Sequence, residues 1–121
     1  MRLRAIQEKA PKMQETVFVL TCMWLTPDGL SQRDRTWGWF QTLEQAEESI
    51  FSNDADIYEN GSYNAVVVEE MPCGTMSLAN AEHWYSVKPK TRNDTGCIES
   101  YKVEKIDKPE GQRQVCNFGM G

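Results

Sequence analysis

Aromatic and basic side chains are interleaved in two stretches of this chain, in a pattern that suits nucleotide binding. The stretch RTWGWF carries Arg35, Trp37 and Trp39, and the later stretch HWYSVKPKTR carries Trp84 and Arg92. An indole stacks on a nucleobase for about 1–3 kcal/mol per base, and an arginine fork binds two phosphate oxygens at once. We predict that these five residues line a ligand-binding pocket. The alternative interpretation is an aromatic core with the charged residues at the strand ends.

A second set of residues consists of carboxylates on a predicted helix and in the turn that follows it. Its members are Glu47, Glu48, Asp54, Asp56 and Glu59. An acidic surface of this kind can bind a basic nucleic-acid-binding surface on another protein, and charge complementarity raises the association rate. We therefore predict this set as an alternative, protein-binding site. The carboxylates also suit a divalent cation, but their spacing matches no EF-hand loop, and we predict no metal site.

The chain has no recognisable catalytic signature. His83 is its one histidine, and neither a nucleophile nor an orienting acid can be assigned to it from the sequence. Cys73 precedes a glycine in a predicted loop, without the histidine partner that a cysteine nucleophile needs. The four cysteines are widely spaced with no C-x-x-C pair, which is typical of reduced thiols rather than of a zinc site. We predict no catalytic residue and no cofactor, and we favour a binding protein over an enzyme.

The composition narrows the class of protein. The 121 residues, 40% of them hydrophobic, suffice for one folded domain with its own core. The formal charge of −5 argues against a general affinity for duplex nucleic acid. No run approaches the roughly 18 apolar residues that span a bilayer, and the N-terminal stretch MRLRAIQEKAPKMQE lacks the apolar middle of a secretory signal. We expect no membrane partner and a cytoplasmic location.

The apolar and turn-forming residues predict the element order β-β-α-β-β-β. This order is typical of an α+β fold in which a curved antiparallel sheet of five to six strands packs on one main helix. Residues 1–15 are predicted to be a loosely ordered arm and residues 16–121 a single domain. Thr42 followed by Gln45 predicts a capping box at the start of the helix, and Asn53 predicts a left-handed residue at its end. The tail stretch QVCNFGM is predicted to be a short sixth strand.

Alternation along the strands predicts which side chains share a face of the sheet. In RTWGWFQ it places Arg35, Trp37 and Trp39 together, with Gly38 open to a close approach on the other face. The first strand, TVFVLTCMWL, is apolar on both faces, which is more than one helix covers. We expect the C-terminal strands or another subunit to cover the second face, with a symmetric homo-oligomer, a dimer by default, in the latter case.

The stretch RTWGWFQTLEQAEESIFSNDADIYENGSYNAVVVEE, with HWYSVK and the Asn117-Phe118-Gly119 tail, resembles a pattern in small uncharacterised proteins of phages and other mobile elements. In that pattern a glycine-aromatic strand precedes a helix that opens Thr-x-x-x-Ala, followed by Asp-Ile-x-Glu and an apolar strand ending Glu-Glu. The resemblance implies no catalytic residue and no established activity. It implies a context in which small acidic proteins bind and block a component of host defence.

The residues and the resemblance together lead to one principal hypothesis, a non-enzymatic inhibitor of bacterial immunity. In one version the protein sequesters a nucleotide second messenger through the aromatic and basic residues. In the other version it blocks a bacterial defence protein, such as a CRISPR nuclease, through the acidic residues. The alternatives are a small metal-dependent nuclease or phosphodiesterase that uses the carboxylates, and a host-interaction module unrelated to immunity.

Overall fold

Five antiparallel strands form one sheet in the computed structural model of the protein, and an α-helix packs on one face of that sheet. The structure describes residues 16–72 and 79–110. The elements are β1 (Thr16–Leu25), β2 (Ser31–Phe40), α1 (Leu43–Ser52), a 3₁₀ turn (Asp54–Asp56), β3 (Ala65–Pro72), β4 (Ala81–Arg92) and β5 (Ile98–Ile106). The order across the sheet is β2-β1-β3-β4-β5, so β2 and β5 are the edge strands.

The predicted fold class is confirmed for these residues, since an antiparallel sheet packs on one main helix. The predicted N-terminal arm, residues 1–15, lies outside the described residues, and so does the predicted sixth strand in QVCNFGM. No helix in the two described ranges has both the length and the apolar character needed to cross a membrane.

Helix α1 begins and ends at its predicted capping residues. The Thr42 hydroxyl accepts a hydrogen bond from the Gln45 backbone N–H at 3.1 Å, and the Gln45 side chain accepts one from the Gln41 backbone N–H at 3.1 Å. Asn53 has left-handed backbone angles, φ 51° and ψ 48°, and its N–H donates to carbonyls in the last turn. Both ends of the helix are therefore specified by local sequence, which explains why its bounds could be predicted.

The sheet buries side chains on both of its faces. Those on the α1 side include Leu20, Cys22, Ile50, Tyr58, Val66, Val68 and Tyr85. Those on the opposite face include Met23, Ala65, Val67 and Trp84. Because successive strand residues point to opposite faces, the apolar run at the start of β3 contributes to both clusters. Of the C-terminal strands expected to cover the second face, β5 is instead an edge strand of the same sheet, and the predicted sixth strand lies outside the described residues.

A β-bulge in β2 overturns the prediction that its two tryptophans share a face. Two consecutive residues of β1 pair with Gly38 and Thr36, so Trp37 is an extra residue in β2. A bulge of this kind shifts the side-chain alternation by one residue. Trp37 packs against the cluster on the α1 side, with Arg35 beside its ring. Trp39 pairs with Val19 of β1, whose side chain lies on the opposite face of the sheet, and the Trp39 side chain projects from that same face.

Strand β4 is longer than the sequence predicts. The stretch KPKTRNDTG, from Lys88 to Gly96, is typical of a long turn in its sequence, but its first five residues continue β4 and pair with β5. Pro89 does not interrupt this pairing. The Val87 N–H donates to the Asn64 carbonyl, away from β5, and residues two apart in a strand direct their N–H groups to the same side. The N–H that Pro89 lacks would therefore also have pointed away from β5.

Gly61 lies in the turn before β3 and closely approaches β5. Its φ is +89°, and a Cβ at this position would lie 2.7 Å from the Ile98 Cδ1. Gly96 has a φ of +90°, but a Cβ there would have nothing within 4 Å. We expect Gly96→Ala to lower the free energy of unfolding by about 1 kcal/mol, and Gly61→Ala by about 1–2 kcal/mol because the end of the Ile98 side chain must also turn aside. Urea unfolding measures both losses, and equal losses would contradict the close approach.

Candidate ligand-binding slot

The predicted aromatic and basic residues do not come together in one pocket. The Arg35 guanidinium carbon lies 4.4 Å from the Trp37 ring centroid, and its Nη1 forms a 3.0 Å ion pair with Glu59. Trp39 is on the opposite face of the sheet and is 65% exposed. Trp84 is buried in the core of that opposite face. The structure thus joins Arg35 with Trp37 and separates both from the other two tryptophans.

At one end of the sheet β3 is shorter than its two neighbours, β1 and β4, and a cavity lies at this end. Ala65, the first residue of β3, pairs with Met23 of β1 and with Ser86 of β4. Beyond this row β1 continues to Leu25 and β4 continues to Arg92. Adjacent strands lie about 4.8 Å apart, so the missing strand leaves a gap about 10 Å wide. We call this cavity the slot. Its volume is about 530 Å³, which is within the usual range of small-molecule sites.

Apolar side chains, including an indole, form much of the slot lining. They belong to Trp24 and Leu25 of β1, Val87 of β4, and Ile98 and Ile106 of β5. The Trp24 ring is half-buried, and the Arg33 guanidinium carbon lies 5.8 Å from its centroid. An indole at the border of a cavity offers a face on which an aromatic ligand can stack. Trp24 is therefore the tryptophan that the geometry assigns to this site.

The charged part of the lining is positive. Lys88 and Arg92 both border the slot, and no Asp or Glu among the described residues does. The Arg92 Nη1 donates to the Gly96 carbonyl at 2.9 Å, which holds the guanidinium beside the turn between β4 and β5. In that turn the Asn93 Oδ1 accepts two backbone N–H groups, each at 2.9 Å. Arginine has five N–H donors, so most of them are available to bind an anion.

Asn64 connects the two strands that border the slot. Its backbone N–H donates to the Met23 carbonyl at 3.1 Å, and its own carbonyl accepts from the Val87 N–H at 3.0 Å. Its side-chain Oδ1 accepts from the Leu25 N–H at 2.7 Å, and its Nδ2 donates to the Leu25 carbonyl at 3.1 Å. The side-chain amide thus takes the place of the residue that would have continued β3. These four bonds fix the separation of β1 and β4.

The turn between α1 and β3 supplies another side of the slot. The Asn60 Oδ1 accepts from the Ile98 N–H at 3.0 Å, which ties this turn to β5. The Tyr63 hydroxyl donates to the Glu59 Oε2 at 3.1 Å, and the same oxygen accepts from Arg35. Burial raises the pKa of Tyr63, and its hydrogen bond to Glu59 raises that pKa further. Glu59, predicted as a protein-binding residue, therefore has two partners within the domain.

The other members of the predicted acidic set are partly engaged and partly exposed. Glu47 is half-buried, and its Oε2 accepts a hydrogen bond from the Tyr85 hydroxyl at 2.6 Å. Glu48 on α1 is exposed, as are Asp54 and Asp56 on the 3₁₀ turn. An acidic surface available to another protein is therefore reduced to Glu48, Asp54 and Asp56.

Several titratable groups lie away from the slot. At the other end of the sheet, the His83 Nε2 is 2.6 Å from the Glu70 Oε2, an orienting acid that the sequence did not identify. Cys22 and Cys97 are free thiols, and burial raises the pKa of Cys22. Cys73 lies outside the described residues. Over residues 16–72 and 79–110, no group of three or more His, Cys, Asp or Glu side chains is arranged to hold a metal ion.

Comparison with known proteins does not place the chain in a family. No protein-family model, no curated protein and no solved structure matches it. The function must therefore be inferred from the lining of the slot, with its indole and its two cations, and from its volume of about 530 Å³.

Proposed function

We propose that the protein binds a nucleotide second messenger in the slot and so withholds it from a bacterial defence system. It acts as a non-enzymatic accessory protein of a phage or mobile element, in the cytoplasm of the host cell. The observation that carries the proposal is a lining with an indole and two cations, and no carboxylate among its described residues, in a chain of net charge −5. In this proposal Arg92, which lines the slot, keeps the binding role predicted for it, and Trp24 takes the role of the three predicted tryptophans.

The slot offers a partner of matching chemistry to each part of a nucleotide. Trp24 presents an aromatic face to the base, and Lys88 and Arg92 present positive charge to the phosphates. Hydrogen bonds between charged groups are roughly twice as strong as those between neutral groups. Asn60 and Ser86 add polar side chains for the sugar or the edge of the base. The proposal gives these residues binding roles and no chemical step, so the nucleotide is expected to be released intact.

Thermal unfolding with a panel of nucleotides tests this proposal. The panel contains cyclic dinucleotides, cyclic trinucleotides and ADP-ribose derivatives. A ligand at about 100 times its dissociation constant stabilises the native state by about 2.7 kcal/mol, which raises the Tm of a domain of this size by several degrees. We expect at least one nucleotide to raise the Tm and to be recovered unchanged after heating. No shift across the panel would contradict the proposal, and recovery of a cleaved nucleotide would favour a nuclease or phosphodiesterase.

A second candidate function, the blocking of a bacterial defence protein, rests on the exposed carboxylates. Glu48, Asp54 and Asp56 are exposed, and between them in the chain Phe51 is 56% exposed. Charged residues around an exposed aromatic side chain resemble the composition of many protein interfaces. The partner would present a basic nucleic-acid-binding surface, as a CRISPR nuclease does, and binding would weaken with added salt.

Charge reversal tests the second function. We expect the Glu48→Lys, Asp54→Lys double variant to fold normally, because both side chains are exposed, and to lose its inhibition of the nuclease. Glu47→Lys is the contrasting variant. It removes the acceptor of the Tyr85 hydroxyl, so we expect it to lower the free energy of unfolding by about 1–3 kcal/mol. Full inhibition by the folded double variant in a cleavage assay would exclude the acidic surface.

A further inference from the structure

The slot is a place in the sheet from which a strand is missing, and an extended peptide is a common occupant of such a place. A peptide of this kind binds mainly through hydrogen bonds between its main chain and the neighbouring strands. Residues on both sides of the slot oppose that mode of binding. Building on the proposed function, we infer that Asn64 and Pro89 determine the ligand class of the slot. They reserve it for a free small molecule and exclude a peptide strand.

On the β1 side, Asn64 already occupies the main-chain groups that an added strand would need. The Leu25 N–H donates to the Asn64 Oδ1 at 2.7 Å, and the Leu25 carbonyl accepts from the Asn64 Nδ2 at 3.1 Å. One residue thus supplies the donor and the acceptor that the neighbouring residue of a strand would supply. A peptide would have to displace both bonds before it could pair with the end of β1.

On the β4 side, Pro89 removes the next donor. The N–H of Val87 points toward the slot and is taken by the Asn64 carbonyl. The pairing of β4 with β5 is regular from Val87 to Pro89, and the register shift comes after Pro89. The next N–H on the slot side would therefore belong to Pro89, which has none. Proline at such a position is a recognised way of keeping a strand edge from pairing with another chain.

A ligand of the slot must therefore bind through side chains. The side chains that border it include an indole, Trp24, and two cations, Lys88 and Arg92. These groups suit a compact molecule with an aromatic ring and a negative charge. Such a molecule needs neither a backbone N–H at position 89 nor the main-chain groups of Leu25.

NMR titration of the full, isotope-labelled chain with a short capped peptide of alternating glutamate and valine tests the inference. The peptide is acidic, so Lys88 and Arg92 attract it and electrostatics alone does not exclude it. We expect it to cause no shift of the Leu25 amide or the Trp24 indole signal in the wild-type protein. In Pro89→Val, where a new N–H faces the slot, we expect an apparent affinity at least about ten-fold above that of the control Thr91→Val.

The control adds the same side chain to an exposed position of β4 without adding an N–H to the strand. Adding Asn64→Ala to Pro89→Val should strengthen peptide binding further. If the double variant does not fold, the comparison of Pro89→Val with Thr91→Val decides the test alone. Shifts at Leu25 in the wild-type protein would overturn the inference. A folded Pro89→Val protein that binds the peptide no better than Thr91→Val would overturn it as well.

The nucleotide panel, titrated into the same wild-type sample, tests the proposed function separately. If no nucleotide binds while the peptide behaves as expected, the proposal of nucleotide binding is refuted. The inference that Asn64 and Pro89 exclude a peptide strand then still stands. If a nucleotide shifts the Trp24 indole and the wild-type protein also takes the peptide at Leu25, the proposed function stands and the inference fails.

Discussion

Replacement of Trp24 by alanine is expected to weaken nucleotide binding by about 10–100-fold, because stacking of a base on an indole contributes about 1–3 kcal/mol. Trp24 borders the slot and is half-buried at the end of β1, so its truncation removes a ligand contact and little of the core. A calorimetric or fluorescence titration with the nucleotide that gives the largest Tm shift measures this loss. The Tm of the free variant shows whether the fold has been kept.

Trp39→Ala is the matched control for that variant. The Trp39 indole is 65% exposed on β2 and does not line the slot. We expect the control to bind the nucleotide with wild-type affinity. If Trp39→Ala weakened binding and Trp24→Ala did not, the ligand would lie at the strand face that the sequence suggested, and the slot would not be the site.

Alkaline pH is expected to unfold the protein steeply. Burial raises the pKa values of the Cys22 thiol and of the Tyr58 and Tyr85 hydroxyls, and the Glu47 carboxylate raises that of Tyr85 further. In the unfolded chain these groups lose their protons near their ordinary pKa values, about 8.5 for cysteine and about 10 for tyrosine, while the native protein keeps them. The unfolded state then binds fewer protons, so the free energy of unfolding falls as the pH rises.

The sign of this effect sets the pH window of the test. The stabilisation is fully present below the ordinary pKa values and declines as the pH rises from those values toward the raised native ones. Above about pH 10.5 each group contributes a slope of about 1.4 kcal/mol per pH unit, which gives about 4 kcal/mol per unit for the three. Urea unfolding from about pH 8 to about pH 11 measures the slope. A constant free energy of unfolding over this range would contradict the burial of these protons.

Tyr58→Phe is the variant that assigns part of the slope. It removes one titrating group, so the slope above about pH 10.5 should fall by about 1.4 kcal/mol per pH unit. It also removes the 2.5 Å hydrogen bond from the Tyr58 hydroxyl to the Ile50 carbonyl, which lowers stability at every pH without changing the slope. An unchanged slope would show that Tyr58 titrates in the native protein.

Local interactions explain which parts of the fold could be predicted. The caps of α1 at Thr42 and Asn53 involve residues within one helical turn, and the two apolar faces of β1 follow from simple alternation. The bulge at Trp37 could not be read from the sequence, because it depends on how β2 pairs with β1. The extension of β4 past Pro89 also depends on pairing. Proline is tolerated there because the N–H that it lacks would have pointed away from β5.

The candidate site was predicted only in part for the same reason. Arg92 was named as a candidate from its type and position and Trp24 was not, and nothing in the sequence brings these two residues to one cavity. Their proximity depends on the late start of β3, which Asn64 sets through bonds to Leu25, 39 residues earlier in the chain. The contact between Glu70 and His83 likewise required the register of β3 and β4.

Calorimetric titration of one nucleotide into the wild-type protein and into the Lys88→Ala, Arg92→Ala double variant tests most directly whether the slot is an anion site. Both side chains are exposed, so their loss leaves the core intact. Since a hydrogen bond to a charged group contributes about 1.5–3 kcal/mol, we expect the double variant to bind at least about 100-fold more weakly. Lys102→Ala, Lys105→Ala removes two exposed lysines of β5 outside the slot and should bind like the wild type. Equal affinity of the wild type and the Lys88→Ala, Arg92→Ala variant would contradict nucleotide binding in the slot.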